Sequence, residues 1–304
     1  MPGKTRDGWR GGQLEEVSVI GAITGDVIGS AYEGAGTKTT GFRLFNDRAR
    51  PTDDSVLTLA VARAILDTGG APTVADFAAH LRELGRRYPR AGYGGTFVHW
   101  LADDRMGAYG SWGNGSAMRS SPAGWAYDTV ENVLRYAGLT ARPTHDHPEG
   151  VKGAQAVALA VLLARQGATR AHLRNEISRR FSYDLDRTVD DIRPAYTFEI
   201  SCRRSVPESI IAFLDSTDFE SAIRNAISLG GDADTQACIA GAVAEAFYGG
   251  VPPAILEWVL RRLDGPQLHI VHRFTRRYLP DRGIAEAVEQ IAGDRLESED
   301  DEKR

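Results

Sequence analysis

The stretch "SLGGDADTQACIAGAVAEAFYGG", from Ser228 to Gly250, places two acidic residues before a long apolar run. From Thr235 onward it is rich in Ala, Gly, Ile, Val and Phe, which predicts a buried helix over 235–248. Asp232 and Asp234 stand just before this predicted helix. Carboxylates are rarely buried unless they are paired or bind a cation, so these two acids need an explanation beyond packing.

Most of the remaining chain shows helical rather than strand patterns. Residues 17–32 place three glycines four positions apart, on one helical face, where another backbone could approach closely. Residues 54–68 are apolar nearly all round, as expected of a core helix. Further helices are predicted over residues 73–88, 129–137, 148–166, 169–181, 206–214, 218–229, 252–263 and 284–292. We therefore predict an all-α fold, built as one compact helical bundle.

The composition is that of an ordinary globular protein: of 304 residues, 42% are hydrophobic and 25% are charged. A formal net charge of −5 argues against a nucleic-acid-binding protein. Two cysteines cannot build a disulfide framework or a zinc set, and the longest apolar run, 156–164, is too short to span a bilayer. We predict a cytoplasmic monomer without a membrane partner. The expected organisation is a disordered N-terminus over 1–14, one domain over 15–294 and a charged tail over 295–304.

A second acidic cluster precedes the predicted core helix. The stretch "PTDDSV", residues 51–56, contains Thr52, Asp53 and Asp54. One acid at a helix start can be explained as an N-cap that accepts backbone N–H bonds, and the same explanation applies to the opening stretch. The recurrence of two carboxylates and a hydroxyl at two core helices favours another explanation. Four converging carboxylates repel one another, and hard oxygen ligands suit Mg²⁺ or Mn²⁺, so we predict a metal site between the clusters.

Three further motifs lie in predicted loops. "GSWGNGSAMR", residues 110–119, is a Gly-rich segment whose backbone N–H groups could face a diphosphate while Trp112 stacks on a base; a surface turn is the alternative. Glu33 follows the Gly-rich helix and could act as a general acid or base, or be merely solvated. His145 precedes a predicted helix and could donate a hydrogen bond to a substrate, or serve only a structural role.

These motifs, in this order, resemble the ADP-ribosylglycohydrolase family, which includes the dinitrogenase reductase-activating glycohydrolase and the hydrolases of ADP-ribosylarginine and ADP-ribosylserine. The matching stretches are "GAITGDVIGSAYE" (21–33), "TDDS" (52–55), "GSWGNGSAMR" (110–119), "THDHPEGVKGAQAVALAV" (144–161), "SVPESIIAFLDSTDFESAIRNAISLGGDADT" (205–235) and "IAGAVAEAFYG" (239–249). The family usually has a threonine where this chain has Ser55, which keeps the hydroxyl. The resemblance implies an orthogonal all-α bundle with a metal-binding cleft.

The resemblance also implies a role for each matching residue. Two Mg²⁺ ions, with Mn²⁺ as an alternative, would be held by Thr52, Asp53, Asp54, Asp232, Asp234 and Thr235. Glu33 matches a loop glutamate credited with catalysis in some members, and Asp53 would stabilise positive charge in the transition state. The diphosphate and adenine would be bound by Gly110, Ser111, Trp112, Gly113, Asn114 and Gly115, with His145 as a further ligand contact. A second stacking partner for adenine, which is aromatic in some family members, would come from "DDRMGAYG", which offers Met106 or Tyr109.

The activity that the resemblance implies is Mg²⁺-dependent hydrolysis of the glycosidic bond between ADP-ribose and an acceptor, either a protein side chain or a small molecule. Nucleic acid is expected only as an ADP-ribosylated substrate. The alternative is a catalytically impaired module that binds ADP-ribose or metal through the same fold. A haloacid dehalogenase-type phosphatase, suggested by "DADT" (232–235), and a DxD glycosyltransferase are disfavoured, because both need an α/β pattern that this chain lacks. Arginine, serine, an O-acetyl group, nitrogenase reductase and a nucleic-acid end all remain open as acceptors.

Overall fold

The computed structural model of the chain describes residues 19–278. Over this range the chain forms fifteen helices and no β-strand beyond one isolated bridge, between Gly113 and Ser201. The helices are α1 (Ile20–Gly29), α2 (Asp53–Asp67), α3 (Val74–Arg87), α4 (Gly95–Ala102), α5 (Gly115–Met118), α6 (Ser121–Ala126), α7 (Val130–Ala141), α8 (Pro148–Arg165), α9 (Arg170–Phe181), α10 (Val189–Ile192), α11 (Cys202–Leu214), α12 (Phe219–Ser228), α13 (Ala233–Tyr248), α14 (Pro253–Leu260) and α15 (Gly265–Tyr278). The predicted all-α fold is confirmed.

Several predicted boundaries are wrong in an informative way. Helix α13 begins at Ala233 rather than 235, so Asp234 belongs to its first turn. Helix α11 begins at Cys202 rather than 206, and Pro207 lies inside it rather than at its start. Helices α4, α5, α6, α10 and α15 were not predicted. The predicted N-terminal segment 1–14, the helix 284–292 and the tail 295–304 lie outside the described residues.

The fold is organised around α13, whose residues from Ala233 to Ala246 are all buried. This helix packs against α1, α8, α11 and α12, so it has neighbours on every side. An all-round apolar sequence is what such a central position requires, since no face of the helix meets water. Within residues 19–278, the helices are all too short or too polar to cross a membrane.

The three glycines of α1 bring its backbone into direct contact with α13. A Cβ atom placed on Gly21, Gly25 or Gly29 would lie 2.4, 1.9 or 2.5 Å from a carbonyl oxygen of α13. The order of these contacts along the two helices is antiparallel, because Gly21 meets Gly241 whereas Gly29 meets Ala233. The C-terminal end of α1 therefore lies beside the N-terminal end of α13, where the acids of the opening stretch are found.

Candidate active site

The N-terminus of α2 is held by Asp26, a fully buried carboxylate of α1 that the sequence analysis did not single out. Asp26 accepts hydrogen bonds from the backbone N–H groups of Thr52 (2.9 Å) and Ser55 (3.0 Å), and from both of their hydroxyl groups. It thereby satisfies N–H groups at a helix start that have no partner within the helix. The hydroxyl of Ser55 thus serves an internal contact.

Asp53 and Asp54 remain available after the capping of α2 has been accounted for. The cap is Thr52, whose hydroxyl accepts a long bond (3.4 Å) from the backbone N–H of Asp54. The backbone N–H of Asp53 donates to Ala91 O at 3.0 Å. Asp54 is buried, and its Oδ1 atom has no hydrogen-bond partner among the described residues. The N-cap explanation thus accounts for Thr52 and leaves both carboxylates without a capping role.

The two acids at the start of α13 make few of the bonds expected of a helix cap. Asp232 is the N-cap residue, yet its side chain makes no capping bond and instead accepts from Asn114 Nδ2 at 2.7 Å. Asp234 Oδ1 accepts from the backbone N–H of Thr235 at 3.0 Å. The hydroxyl of Thr235 donates to Asp54 Oδ2 at 3.2 Å and so joins the two acidic clusters.

The two clusters meet as two groups of three carboxylates. Asp26, Asp54 and Asp234 each have an oxygen within 4.8 Å of the others, and so do Glu33, Asp232 and Asp234. Asp234 belongs to both groups. Two oxygen-only groups that share one carboxylate have the ligand chemistry that Mg²⁺ and Mn²⁺ prefer. Together with the unpartnered Oδ1 of buried Asp54, this donor set fits a divalent cation.

Burial and mutual repulsion disfavour ionisation of these acids. The pKa of Asp54 and that of Asp234 lie well above the ordinary value, first because both are buried and second because each has other carboxylates nearby. Burial and the charge of Asp26 raise the pKa of Asp53 to about 7. The pKa of exposed Glu33 is raised by partial burial and by Asp232, against the opposing effect of Arg50. A divalent cation would reverse this preference and favour the ionised forms.

The metal-free protein is expected to lose stability with rising pH, because these acids bind protons more tightly in the folded chain. Their contribution is complete below the ordinary carboxyl pKa and is lost as the pH rises through the folded pKa, about 7 for Asp53. Melting temperatures in EDTA should fall between about pH 5 and about pH 8 more steeply for the wild type than for Asp54→Asn, which has one fewer acid to ionise. Equal slopes in the two proteins would contradict the expectation.

The acids face a cleft of about 420 Å³. Ser111, Gly113, Asn114 and Gly115 of the Gly-rich segment line it, but Gly110 and Trp112 do not. Trp112 is 51% exposed, whereas the backbone N–H of Gly110 donates to Asp146 Oδ1 at 2.8 Å. The structure thus brings four of the six predicted loop residues to the cleft. The adenine-stacking role of Trp112 stays a prediction that the geometry does not favour.

Aromatic and aliphatic side chains complete the cleft. Tyr109, one of the two candidates for stacking, lines it, whereas Met106 does not. Phe97, Phe198 and Ile200 also line it and were not predicted. Phe198 and Ile200 are 55% and 51% exposed, and Ile200 O accepts from the backbone N–H of Asn114 at 2.7 Å. Large apolar side chains left in water beside a cleft are a signature of ligand contact that only the fold reveals.

Of the predicted metal ligands, five line the cleft: Asp53, Asp54, Asp232, Asp234 and Thr235. Thr52 lies behind them, with its hydroxyl bonded to Asp26. Glu33 and His145 also line the cleft. The predicted site residues that line the cleft therefore come from five distant parts of the chain: the end of α1, the start of α2, the Gly-rich segment before α5, the segment before α8 and the start of α13.

An acid-lined cleft in an all-α bundle defines the class of this protein, and comparison with known proteins agrees. The chain belongs to the ADP-ribosylglycohydrolase family, whose model matches residues 16–293. It is therefore an enzyme of the glycosidase-type hydrolases that act on ADP-ribose linkages.

Individual relatives are similar over most of the chain. The mouse protein named ADP-ribosylhydrolase ARH3 is 28% identical over 306 residues, which cover 76% of this chain and 82% of the mouse protein. The human ADP-ribosylhydrolase ARH3 is also 28% identical, over a match that covers 76% of this chain and 84% of the human protein. A solved structure titled "ADP-ribosylglycohydrolase-related protein complex" superimposes with a TM-score of 0.66 at 26% identity, covering 86% of this chain and 95% of that one.

Proposed function

We propose that this protein is a Mg²⁺-dependent ADP-ribosylhydrolase, which cleaves the bond between the ribose C1″ of ADP-ribose and an acceptor. The observation that carries the proposal is that two clusters of three carboxylates, which share Asp234, meet beside a cleft of about 420 Å³, and that all of these acids except Asp26 line it. A cleft of this size is suited to a nucleotide-sized ligand. Family membership supports the reaction class.

The residues that would hold the metal are Asp54, Asp232, Asp234 and Thr235, with Asp53 and Glu33 beside them. When bound, divalent cations would fix the ribose hydroxyl groups and orient a water molecule. The protein's contribution is to keep the oxygens in place. Asp26 anchors the start of α2, and the glycine contacts of α1 set the position of α13.

The remaining chemistry is assigned to side chains of the cleft. Cleavage at an anomeric carbon passes through a transition state with oxocarbenium character, whose positive charge the half-buried Asp53 would stabilise. Glu33 lies at the cleft beside Asp232 and Asp234, where its carboxyl group is placed to exchange a proton with the leaving group or with water. Hydrolysis adds the hydroxyl of water to C1″ and returns one proton to the acceptor.

The Gly-rich segment is assigned to the diphosphate of the ligand. A Cβ atom at Gly115 would lie 3.3 Å from His145 Nε2, closer than most Cβ contacts, whereas one at Gly113 would lie at an ordinary 3.6 Å. The absence of a side chain at Gly115 therefore leaves room for a ligand between the loop backbone and the ring. Tyr109 and Phe198 offer faces for the adenine or for the acceptor.

Hydrolysis of an ADP-ribosylated peptide tests the proposal directly. Release of ADP-ribose should require Mg²⁺, stop in EDTA and resume when Mg²⁺ is restored in excess, because the metal site is formed by ionised carboxylates. The measurement is chromatographic detection of ADP-ribose with arginine-, serine- and O-acetyl-linked substrates in parallel. Binding of ADP-ribose without release from any substrate would instead favour the catalytically impaired module, and undiminished release in EDTA would contradict the metal requirement.

A further inference from the structure

Arg119 is a fully buried arginine that none of the roles above uses. It is the last residue of the Gly-rich segment and lines the cleft. Its Nη2 atom donates to Thr140 O at 3.2 Å and to Thr144 Oγ1 at 2.8 Å. Burial lowers its pKa to about 10, so the side chain is still a cation at neutral pH. A buried charge is costly, and a role in the site would explain its presence.

Through Thr144, Arg119 is linked to His145, the histidine that lines the cleft. Thr144 Oγ1 lies 2.7 Å from His145 Nδ1, so the three side chains form one hydrogen-bonded chain. The other ring nitrogen, Nε2, lies against the Gly-rich loop, where Gly115 has no side chain to cover it. The chain thus runs from a buried cation, through a hydroxyl, to a ring at the cleft.

The donors and acceptors in this chain fix its direction. A guanidinium only donates, so Thr144 Oγ1 must accept from Arg119 and has one proton of its own to give. The imidazole Nδ1, with its in-plane lone pair, is the acceptor within reach of that proton. In the reverse arrangement Nδ1–H would donate to Thr144, and the threonine proton would have to go to the phenol of Tyr109, a weaker acceptor.

The charge state of His145 agrees with this direction. Burial, and then the positive charge of Arg119, place the pKa of His145 well below its ordinary value. The ring is therefore neutral near pH 7 and carries a single proton. With Nδ1 as the acceptor, that proton belongs on Nε2.

We propose that Arg119 and Thr144 are positioning residues, which hold His145 as the tautomer protonated on Nε2. The ring then presents one uncharged N–H donor, whose partner on the bound ligand is an oxygen that accepts, either of a phosphate or of a hydroxyl group. The identity of that ligand as ADP-ribose rests on the proposed function. The tautomer itself does not, because it follows from contacts within the chain.

The tautomer can be read from the ¹⁵N chemical shifts of the ring in the free protein, with the His145 signals assigned by their loss in His145→Gln. We expect Nε2 to show the shift of a protonated nitrogen and Nδ1 that of an unprotonated one. The opposite pattern in the wild type would overturn the proposal. Because this spectrum needs no variant of Thr144 or Arg119, the test stands even if such variants fail to fold.

Variants of Thr144 test the positioning. Thr144→Val keeps the shape of the side chain and removes the hydroxyl, so the bias towards Nε2–H should be lost and the Kd for ADP-ribose should rise about 10-fold. Thr144→Ser keeps the hydroxyl group, so the ¹⁵N pattern and the affinity of this variant should match those of the wild type. An unchanged pattern and affinity in Thr144→Val would overturn the proposal. Neither readout depends on turnover, so absent hydrolysis would contradict the proposed function alone, and an Nδ1–H tautomer with full hydrolysis would contradict this inference alone.

Discussion

Asp54→Asn is expected to lower kcat/KM for an ADP-ribosylated substrate by about 10²-fold or more, the scale of losing one preorganised electrostatic group in an active site. Asp54 is buried, its Oδ1 atom has no hydrogen-bond partner among the described residues, and one of its carboxylate oxygens lies within 4.8 Å of one from each of Asp26 and Asp234. Asparagine keeps the shape and one oxygen but removes the negative charge that a divalent cation requires. Steady-state kinetics in saturating Mg²⁺ measure the loss.

The same substitution is expected to stabilise the protein when no metal is present. Removing one of several buried acids relieves their repulsion, so the free energy of unfolding in EDTA at about pH 8 should rise by about 1–3 kcal/mol, the cost of a buried group without a partner. The matched control is Asp186→Asn, because Asp186 is exposed and lies away from the cleft. It should change neither activity nor stability. Loss of both activity and stability in Asp54→Asn would indicate a structural role for this carboxylate instead.

Gly25→Ala is expected to destabilise the fold by about 3 kcal/mol or more, the upper part of the range for overpacking. A Cβ atom on Gly25 would lie 1.9 Å from Ala237 O and 2.5 Å from the backbone nitrogen of Cys238. Backbone atoms cannot move aside as a side chain can, so α1 and α13 must separate. Because the acids lie at the end of this helix pair, activity should fall with stability. Chemical denaturation with urea measures the change in the free energy of unfolding.

Gly138→Ala in α7 is the matched control for this prediction. Gly138 is also helical and buried, but the nearest atom to an added Cβ is the end of the Gln155 side chain, at 3.4 Å. This substitution should be neutral or stabilise the protein by up to about 1 kcal/mol, since alanine loses less backbone entropy than glycine on folding. Equal destabilisation by both substitutions would show that the close contact between α1 and α13 is not what makes Gly25 necessary.

Local pattern was enough to predict each of the two helices that build the site, but not that they pack against each other. Glycines four residues apart lie on one face of a helix. The positions of Gly21, Gly25 and Gly29 therefore predicted that another backbone packs closely against this face. The partner helix was not visible in the same pattern, because contacts between α1 and α13 join residues more than 200 positions apart. The short helices α4, α5, α6 and α10 escaped prediction since four to eight residues are too few to establish a period.

Site residues were predicted correctly where acidic residues occur in pairs along the sequence. They were missed where a residue acts through partners that are distant in sequence. Asp53, Asp54, Asp232 and Asp234 occur as pairs beside apolar helices, a local signal. Asp26 is a single acid within α1. Its role becomes visible only in the fold, where Thr52 and Ser55, 26 and 29 residues away, donate hydrogen bonds to it. The apolar rim at Phe198 and Ile200 was missed for a similar reason, because exposure is a property of the fold.

The location of bound metal is the most direct test of the central claim that the two acidic clusters hold divalent cations. Crystals soaked in Mn²⁺ should give anomalous density peaks among the carboxylates of Asp54, Asp232 and Asp234, and these peaks should disappear in Asp54→Asn or Asp234→Asn crystals treated in the same way. Anomalous density only at other positions, or none in crystals of an enzyme that is active with Mn²⁺, would contradict the account.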